Sequence, residues 1–148
     1  PEYIYIDSEK MKTHKDSDKT VKVIAGKFNS TEGPVNKHNV HPLYFDVVLN
    51  KHQIFDFNLP ETHNSFIYLI NGEIKVGEKK HEKITDSKLV LLTKGSKLKV
   101  KSLIKSNFLL ISGKPIGEKI ARGGPFVMNT KAEILEAIND YHNGTFVK

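Results

Sequence analysis

The sequence contains no cysteine. That excludes a disulfide scaffold, a thiolate metal site, a cysteine nucleophile and a redox thiol, and it fits a reducing compartment. No apolar run approaches the ~18 residues that a membrane span needs. Arginine is nearly missing: of 23 basic residues only Arg122 is arginine. The net charge of +6 and the pI of about 9.4 raise the question of nucleic acid or an acidic surface. Base reading and bidentate phosphate binding favour the planar guanidinium fork, however, whereas lysine is a hydrated point charge. The charge is therefore read as a solvated surface, and direct nucleic-acid binding is not expected. Catalytic signatures are missing as well: there is no G-x-S-x-G, no Walker A and no H-E-x-x-H. The start, Pro1-Glu2-Tyr3-Ile4, has no basic n-region and no apolar h-region. It reads as the edge of a trimmed piece, not a secretion signal. The expected location is the cytoplasm, with the nucleus as the alternative in a eukaryote.

What is present is 148 residues, 38% of them hydrophobic, enough for one core. Val21-Lys22-Val23-Ile24-Ala25 alternates and then meets Gly26, which predicts a strand ending at a turn. Residues 29–42 hold Gly33, Pro34, Asn36, Asn39 and Pro42, and read as a loop. Strands are predicted at 45–49, 53–59 and 65–70. Asn71-Gly72 then predicts a type I′ hairpin turn, with 73–76 as the return strand. Further strand segments follow around Ile84, at 89–92, 97–101 and 107–111. In Lys97-Leu98-Lys99-Val100-Lys101 every second residue is lysine, the pattern of one wet and one buried face. About nine short strands at regular spacing predict an all-β sandwich or barrel.

The tail differs. Thr130-Lys131-Ala132-Glu133 is a capping box, and Ile134, Leu135, Ala137, Ile138 and Tyr141 recur at helical spacing before Asn143-Gly144. A helix is predicted over about 130–142. Arg122-Gly123-Gly124-Pro125 before it reads as a turn.

Seven histidines raise the question of a metal. His38 and His41 are spaced i, i+3 in the loop, but a pair needs a third ligand. His14, His52, His81 and His142 sit among polar residues and read as surface. His63, at the mouth of the 65–70 strand, reads as a loop-orienting residue. Asp46 and Asp56 carry no weight as a carboxylate pair.

Several segments resemble the pirin family. They are Val21-Lys22-Val23-Ile24-Ala25-Gly26-Lys27-Phe28-Asn29 with Gly33-Pro34, and Leu59-Pro60-Glu61-Thr62-His63-Asn64 with Tyr68 and Gly72-Glu73 behind it. The most specific are Gly113-Lys114-Pro115-Ile116-Gly117-Glu118 and Arg122-Gly123-Gly124-Pro125-Phe126-Val127-Met128-Asn129-Thr130, with Asp140-Tyr141 after them. The resemblance implies a bicupin, two β-barrel cupin halves in one chain, of which this sequence looks like the C-terminal half. It implies that iron sits in the N-terminal half, on three histidines and one glutamate. It also implies a link to quercetin 2,3-dioxygenase activity and, in eukaryotes, to transcriptional co-regulation.

The cupin pattern G-x5-H-x-H-x3,4-E-x6-G can be laid on Gly72. The glutamate position then falls on Ser65, and the histidine positions on Asn58 and Pro60 or on Leu59 and Glu61. Only Glu61 could ligate. The second motif needs a histidine after Gly95, and residues 95–113 contain none. Neutral imidazoles are what such a site is built from.

The expectation is therefore an all-β cupin double-stranded β-helix barrel with a C-terminal α-helix. It is taken as one domain over 1–148, with about 1–20 as a linker or edge segment. No catalytic residue, metal ligand or cofactor is expected in this half. A ligand pocket, if present, is expected at His63, Phe66, Tyr68, Phe55 and Phe57. An interface is expected at Phe126, Val127, Met128, Ile134, Ile138 and Tyr141. The expected partner is an N-terminal pirin half or a second copy of the chain, and no membrane is expected.

Overall fold

A computed structural model describes residues 4–35, 39–77 and 82–147. The residues up to Pro115 form one compact unit and those from Ile116 a second.

The first unit carries β1 (Thr13–Lys15), β2 (Lys19–Ala25), β3 (Lys27–Phe28), β4 (Thr31–Glu32), β5 (Leu43–Leu49), β6 (Ile54–Asn58), β7 (Asn64–Asn71), β8 (Glu73–Val76), β9 (Glu82–Thr85), β10 (Lys88–Leu91), β11 (Lys97–Ser102) and β12 (Ser106–Gly113). Six of them form a sheet in the order β1-β2-β5-β12-β7-β10, and four form a second in the order β6-β11-β8-β9. Pairing within both sheets is antiparallel. This is the jelly-roll arrangement of an all-β double-stranded β-helix.

Alternation decides what each strand buries. Val21 and Val23 on β2, Phe45, Val47 and Leu49 on β5, Ile67 and Leu69 on β7, and Phe108 and Leu110 on β12 all point inward from the large sheet. Phe55, Ile74, Leu98 and Val100 answer them from the small sheet. The Lys97–Lys101 alternation holds as expected: Leu98 and Val100 are buried, and Lys97 and Lys101 are exposed. An aromatic cluster joins the layers. Phe28 stacks on Phe55 and Phe57, with ring centroids 5.6 and 5.8 Å away, and meets Phe45 edge-on at 5.8 Å.

β1 pairs with β2 at one edge of the large sheet, inside the stretch of about 1–20 expected as a linker or edge segment. Its turn is fixed by Asp16, whose Oδ1 accepts from the backbone N–H of Asp18 and Lys19 and whose Oδ2 meets Lys19 Nζ at 3.0 Å. Those contacts, the Lys19 ammonium first, hold the Asp16 carboxyl well below the usual carboxylate range. The segment around Asn29 is a small β3–β4 hairpin, with Asn29 itself at positive φ. Asn71-Gly72 is not a hairpin turn. β7 pairs with β10 and β12, whereas β8 pairs with β9 and β11, so the chain changes sheets at Gly72. Gly72 has φ +100°, while Asn71 stays within the strand. A corner between layers and a hairpin both need a residue that tolerates positive φ, and the dipeptide cannot tell them apart.

The second unit is a hairpin and a helix. β13 (Ala121–Gly123) pairs with β14 (Phe126–Met128), so Gly124-Pro125 is the expected turn, but between strands that sequence reading missed. α1 (Lys131–Asn143) starts at the expected capping box: the Thr130 Oγ1 accepts from the Glu133 N–H, and the Glu133 carboxylate accepts from the Thr130 N–H. It ends at Gly144, at φ +72°. A Cβ on Gly123 would collide with the Ile134 side chain, so a glycine lets the helix lie on the hairpin.

Candidate functional site

At the end of the barrel where β7 begins and β12 ends, the inward faces turn polar. Ser65 and Ser112 are register partners, and their Oγ atoms lie 2.8 Å apart. His63 Nδ1 lies 3.1 Å from the Ser112 hydroxyl, and the ring is buried, 8% exposed. Lys94 Nζ closes the segment from outside. It donates to the carbonyls of Thr62 and His63 and to Asn64 Oδ1, at 3.2, 3.0 and 2.9 Å. The His63 ring thus ties the residues just before β7 to the end of β12.

Burial above all, and then the positive surroundings of His41, Lys94 and Lys114, push the His63 imidazole below its ordinary pKa. The consequence for stability has a definite sign. Below an unfolded imidazole pKa of about 6.5, the unfolded chain takes up a proton that the folded chain refuses. The His63 contribution is therefore complete above that pH and is lost as pH falls through it toward the lower folded value. Thermal unfolding followed from pH 7.5 to 5.5 should show a falling Tm, and His63→Asn should flatten that slope. An unchanged slope in the variant would assign the pH dependence to other groups.

Beside this cluster a cavity of about 430 Å³ opens between the small sheet and the edge strand β10. Its apolar lining is Leu59, Val76, Ile84, Val90, Leu91, Leu92 and Leu98. Two backbone bonds extend the ladders beside it: Leu92 N–H donates to the Ser65 carbonyl beyond the β10–β7 pairing, and Leu59 N–H to that of Ser96 beyond the β6–β11 pairing. The cavity includes one of the positions where the cupin pattern would place a histidine, and there it has Leu59. Asn58, Pro60 and Glu61 are exposed, and Ser65 is tied to Ser112. Among the described residues no three His, Cys, Asp or Glu side chains gather as a metal set. These positions do not make the ligand set of a cupin iron.

The residues expected to line a pocket do not come together as one set. Phe55 is fully buried and Phe57 partly so, both in the aromatic cluster. Phe66 and Tyr68 alternate with the buried Ile67 and Leu69, which places them on the opposite, outer face of the large sheet. Of the expected interface residues, Ile134 is buried against Gly123 inside the second unit. Phe126, Met128 and Ile138 are half-buried, with Phe126 against Tyr141 and Phe146. Val127 and Tyr141 are exposed, at 61% and 66%. His38 and His81 lie outside the described residues. His41, His52 and His142 are exposed, and His14 packs edge-on to Phe28. The cavity walls were not foreseen. Their alternation on β9 to β11 is visible in the sequence, but a volume left between two sheets is not.

The family model of the Pirin C-terminal cupin domain matches residues 44–147. The chain belongs to the pirin family. It is similar to pirin of Rattus norvegicus, with 34% identity over 146 residues, which is 97% of this chain and 50% of that protein. A pirin-like protein of Caulobacter vibrioides is 32% identical over 133 residues, 89% of this chain and 47% of the relative. Among solved structures, a quercetin 2,3-dioxygenase from Acinetobacter baumannii superposes with a TM-score of 0.83 at 28% identity, over 95% of this chain and 49% of that one. The chain spans about half the length of these relatives. No helix among its described residues is long and apolar enough to cross a membrane.

Proposed function

We propose that this pirin-type cupin is a metal-free half that serves structure and partner binding, and that the iron chemistry of the whole protein belongs to an N-terminal half. The observation that carries this reading is the apolar cavity with Leu59 at a motif position, where a cupin metal would need an imidazole. Exposed apolar surface supports the partner role. Leu89 and Leu91 on β10 are 57% and 77% exposed, and they register with Tyr68 and Phe66 on the same outer face. In the second unit, Val127, Leu135 and Tyr141 are exposed. Contiguous apolar surface of this kind marks interaction sites.

The partner is an N-terminal pirin half or, without it, a second copy, in the cytoplasm. Light scattering coupled to gel filtration tests this. The chain alone should show self-association, and addition of a separately produced N-terminal half should give a one-to-one complex. A strictly monomeric chain that ignores the added half at high concentration would contradict the proposal. A quercetin 2,3-dioxygenase activity, named for the Acinetobacter relative, is assigned on this reading to the two-half protein.

A further inference from the structure

Resting on the partner reading, we propose that β10 is a strand-addition edge and that the chain alone pairs it, antiparallel, with the β10 of a second copy. The large sheet ends in β1 and β10, and the small one in β6 and β9. An open edge is a row of unpaired N–H and C=O groups, which proteins guard with charge, proline or a bulge. Three of these edges are guarded. β1 exposes Lys15, β6 exposes Asp56 with Pro60 just past its end, and β9 exposes Glu82 and Lys83. β10 has one charge, Lys88 at its first position, and then Leu89-Val90-Leu91, with Leu89 and Leu91 exposed.

The ladder fixes which backbone groups of β10 are open. Leu92 N–H donates to the carbonyl of Ser65, which lies directly opposite when the β10–β7 register is continued. In an antiparallel ladder, bonded pairs alternate with non-bonded ones. Val90 and Lys88 therefore bond to β7. The N–H and C=O of Leu89 and Leu91 point to the free edge, where no described strand lies. Another extended backbone is what offers donors and acceptors in that two-residue repeat.

A second copy fits this edge in one register. With the two-fold axis at Val90, Leu89 of each copy faces Leu91 of the other as a bonded pair, and every group used lies within β10. An axis at Leu89 would call on Ser87, which stands at φ +57°. An axis at Leu91 would set Lys88 opposite Lys94 of the other copy. At Val90, Lys88 lies opposite Leu92, and Asp86 is brought to the Lys94 end of the other copy. The acceptors of the Lys94 ammonium within its own chain are uncharged oxygens, so that carboxylate complements it. The cavity reaches the same edge: Val90 and Leu91 border it together with Glu82 and Ile84 of β9. The added strand brings a second Val90 to the inner face there and covers apolar surface.

The chain has no cysteine, so single-cysteine variants read the register. Val90→Cys places its two sulfurs on opposed residues with Cα atoms about 4.5 Å apart, a distance that a disulfide spans. Leu89→Cys sets its two sulfurs on diagonal residues about 7–8 Å apart, past that reach. Mild oxidation of the concentrated chain should link Val90→Cys into dimers about tenfold faster than Leu89→Cys. Light scattering should show a concentration-dependent dimer. Leu89→Lys should weaken it about tenfold or more, and Leu135→Ser, exposed on α1, should leave it unchanged. Amide exchange in the unsubstituted chain should slow at Leu89 and Leu91 as concentration rises. A dimer that Leu89→Lys does not weaken, or equal cross-linking of the two cysteine variants, overturns the strand pairing and leaves the partner reading standing. A monomeric chain that still binds the N-terminal half does the same. A monomeric chain that ignores that half contradicts both.

Discussion

Phe28→Ala should cost the barrel about 3–5 kcal/mol, the range for truncating a fully packed phenylalanine. Domains of this kind are stable by about 5–15 kcal/mol in total, so the variant should lose about a fifth or more of its stability. Phe28 is only 2% exposed, although its strand, β3, has two residues. Its ring touches Phe45, from the large sheet, and Phe55 and Phe57, from the small one. Removal opens a cavity where the two layers meet, and three remaining rings cannot all move to fill it. His14 on β1 would lose its edge-on contact as well. Urea denaturation should show a lower midpoint with an unchanged m-value. A loss below about 1 kcal/mol would mean that the hairpin carrying Phe28 is a detachable flap and not part of the core.

Gly72→Ala should be comparably damaging for a different reason. At φ +100° an alanine is strained, at about 1–3 kcal/mol. The added Cβ would also lie 2.6 Å from the Ser106 Cα, and closer still to its Oγ. Ser106 cannot retreat freely. It is buried, its hydroxyl has the carbonyls of Ile104 and Glu73 at 2.8 and 3.1 Å as acceptors for its one proton, and it accepts from the Glu73 N–H. Overpacking against such a site adds about 1–3 kcal/mol. The double variant Gly72→Ala/Ser106→Gly should recover part of the overpacking loss and none of the φ strain. Full recovery would show that strain at Gly72 is negligible.

These two positions also show how far the sequence was readable. The turn signal at Asn71-Gly72 marked the need for positive φ, but not that β7 and β8 belong to different sheets, because pairing is set by residues far along the chain. Phe28 stood beside a loop signal, and its burial depends on rings brought from β5 and β6. The alternation of β2, β5 and β11 and the capping box of α1 were legible, since period and capping are local. The β13–β14 hairpin was not, because three-residue strands carry too little pattern. Glycines 123 and 124 looked like a single turn, yet one makes the turn and the other makes room for Ile134. For the site, the sequence showed which donors were lacking at the cupin positions. It did not show that Phe66 and Tyr68 face outward, which one step of strand register decides. Nor could it show a cavity, which is a property of the distance between layers.

The central claim is that this half of a pirin-type protein carries no cupin iron. The most direct measurement is the metal retained by the purified chain after anaerobic loading with Fe(II) and desalting. The account predicts well below one equivalent per chain, because Leu59 stands at a motif position and no described cluster of donors replaces the missing imidazoles. One tightly held equivalent would contradict it and would place an iron centre in this half.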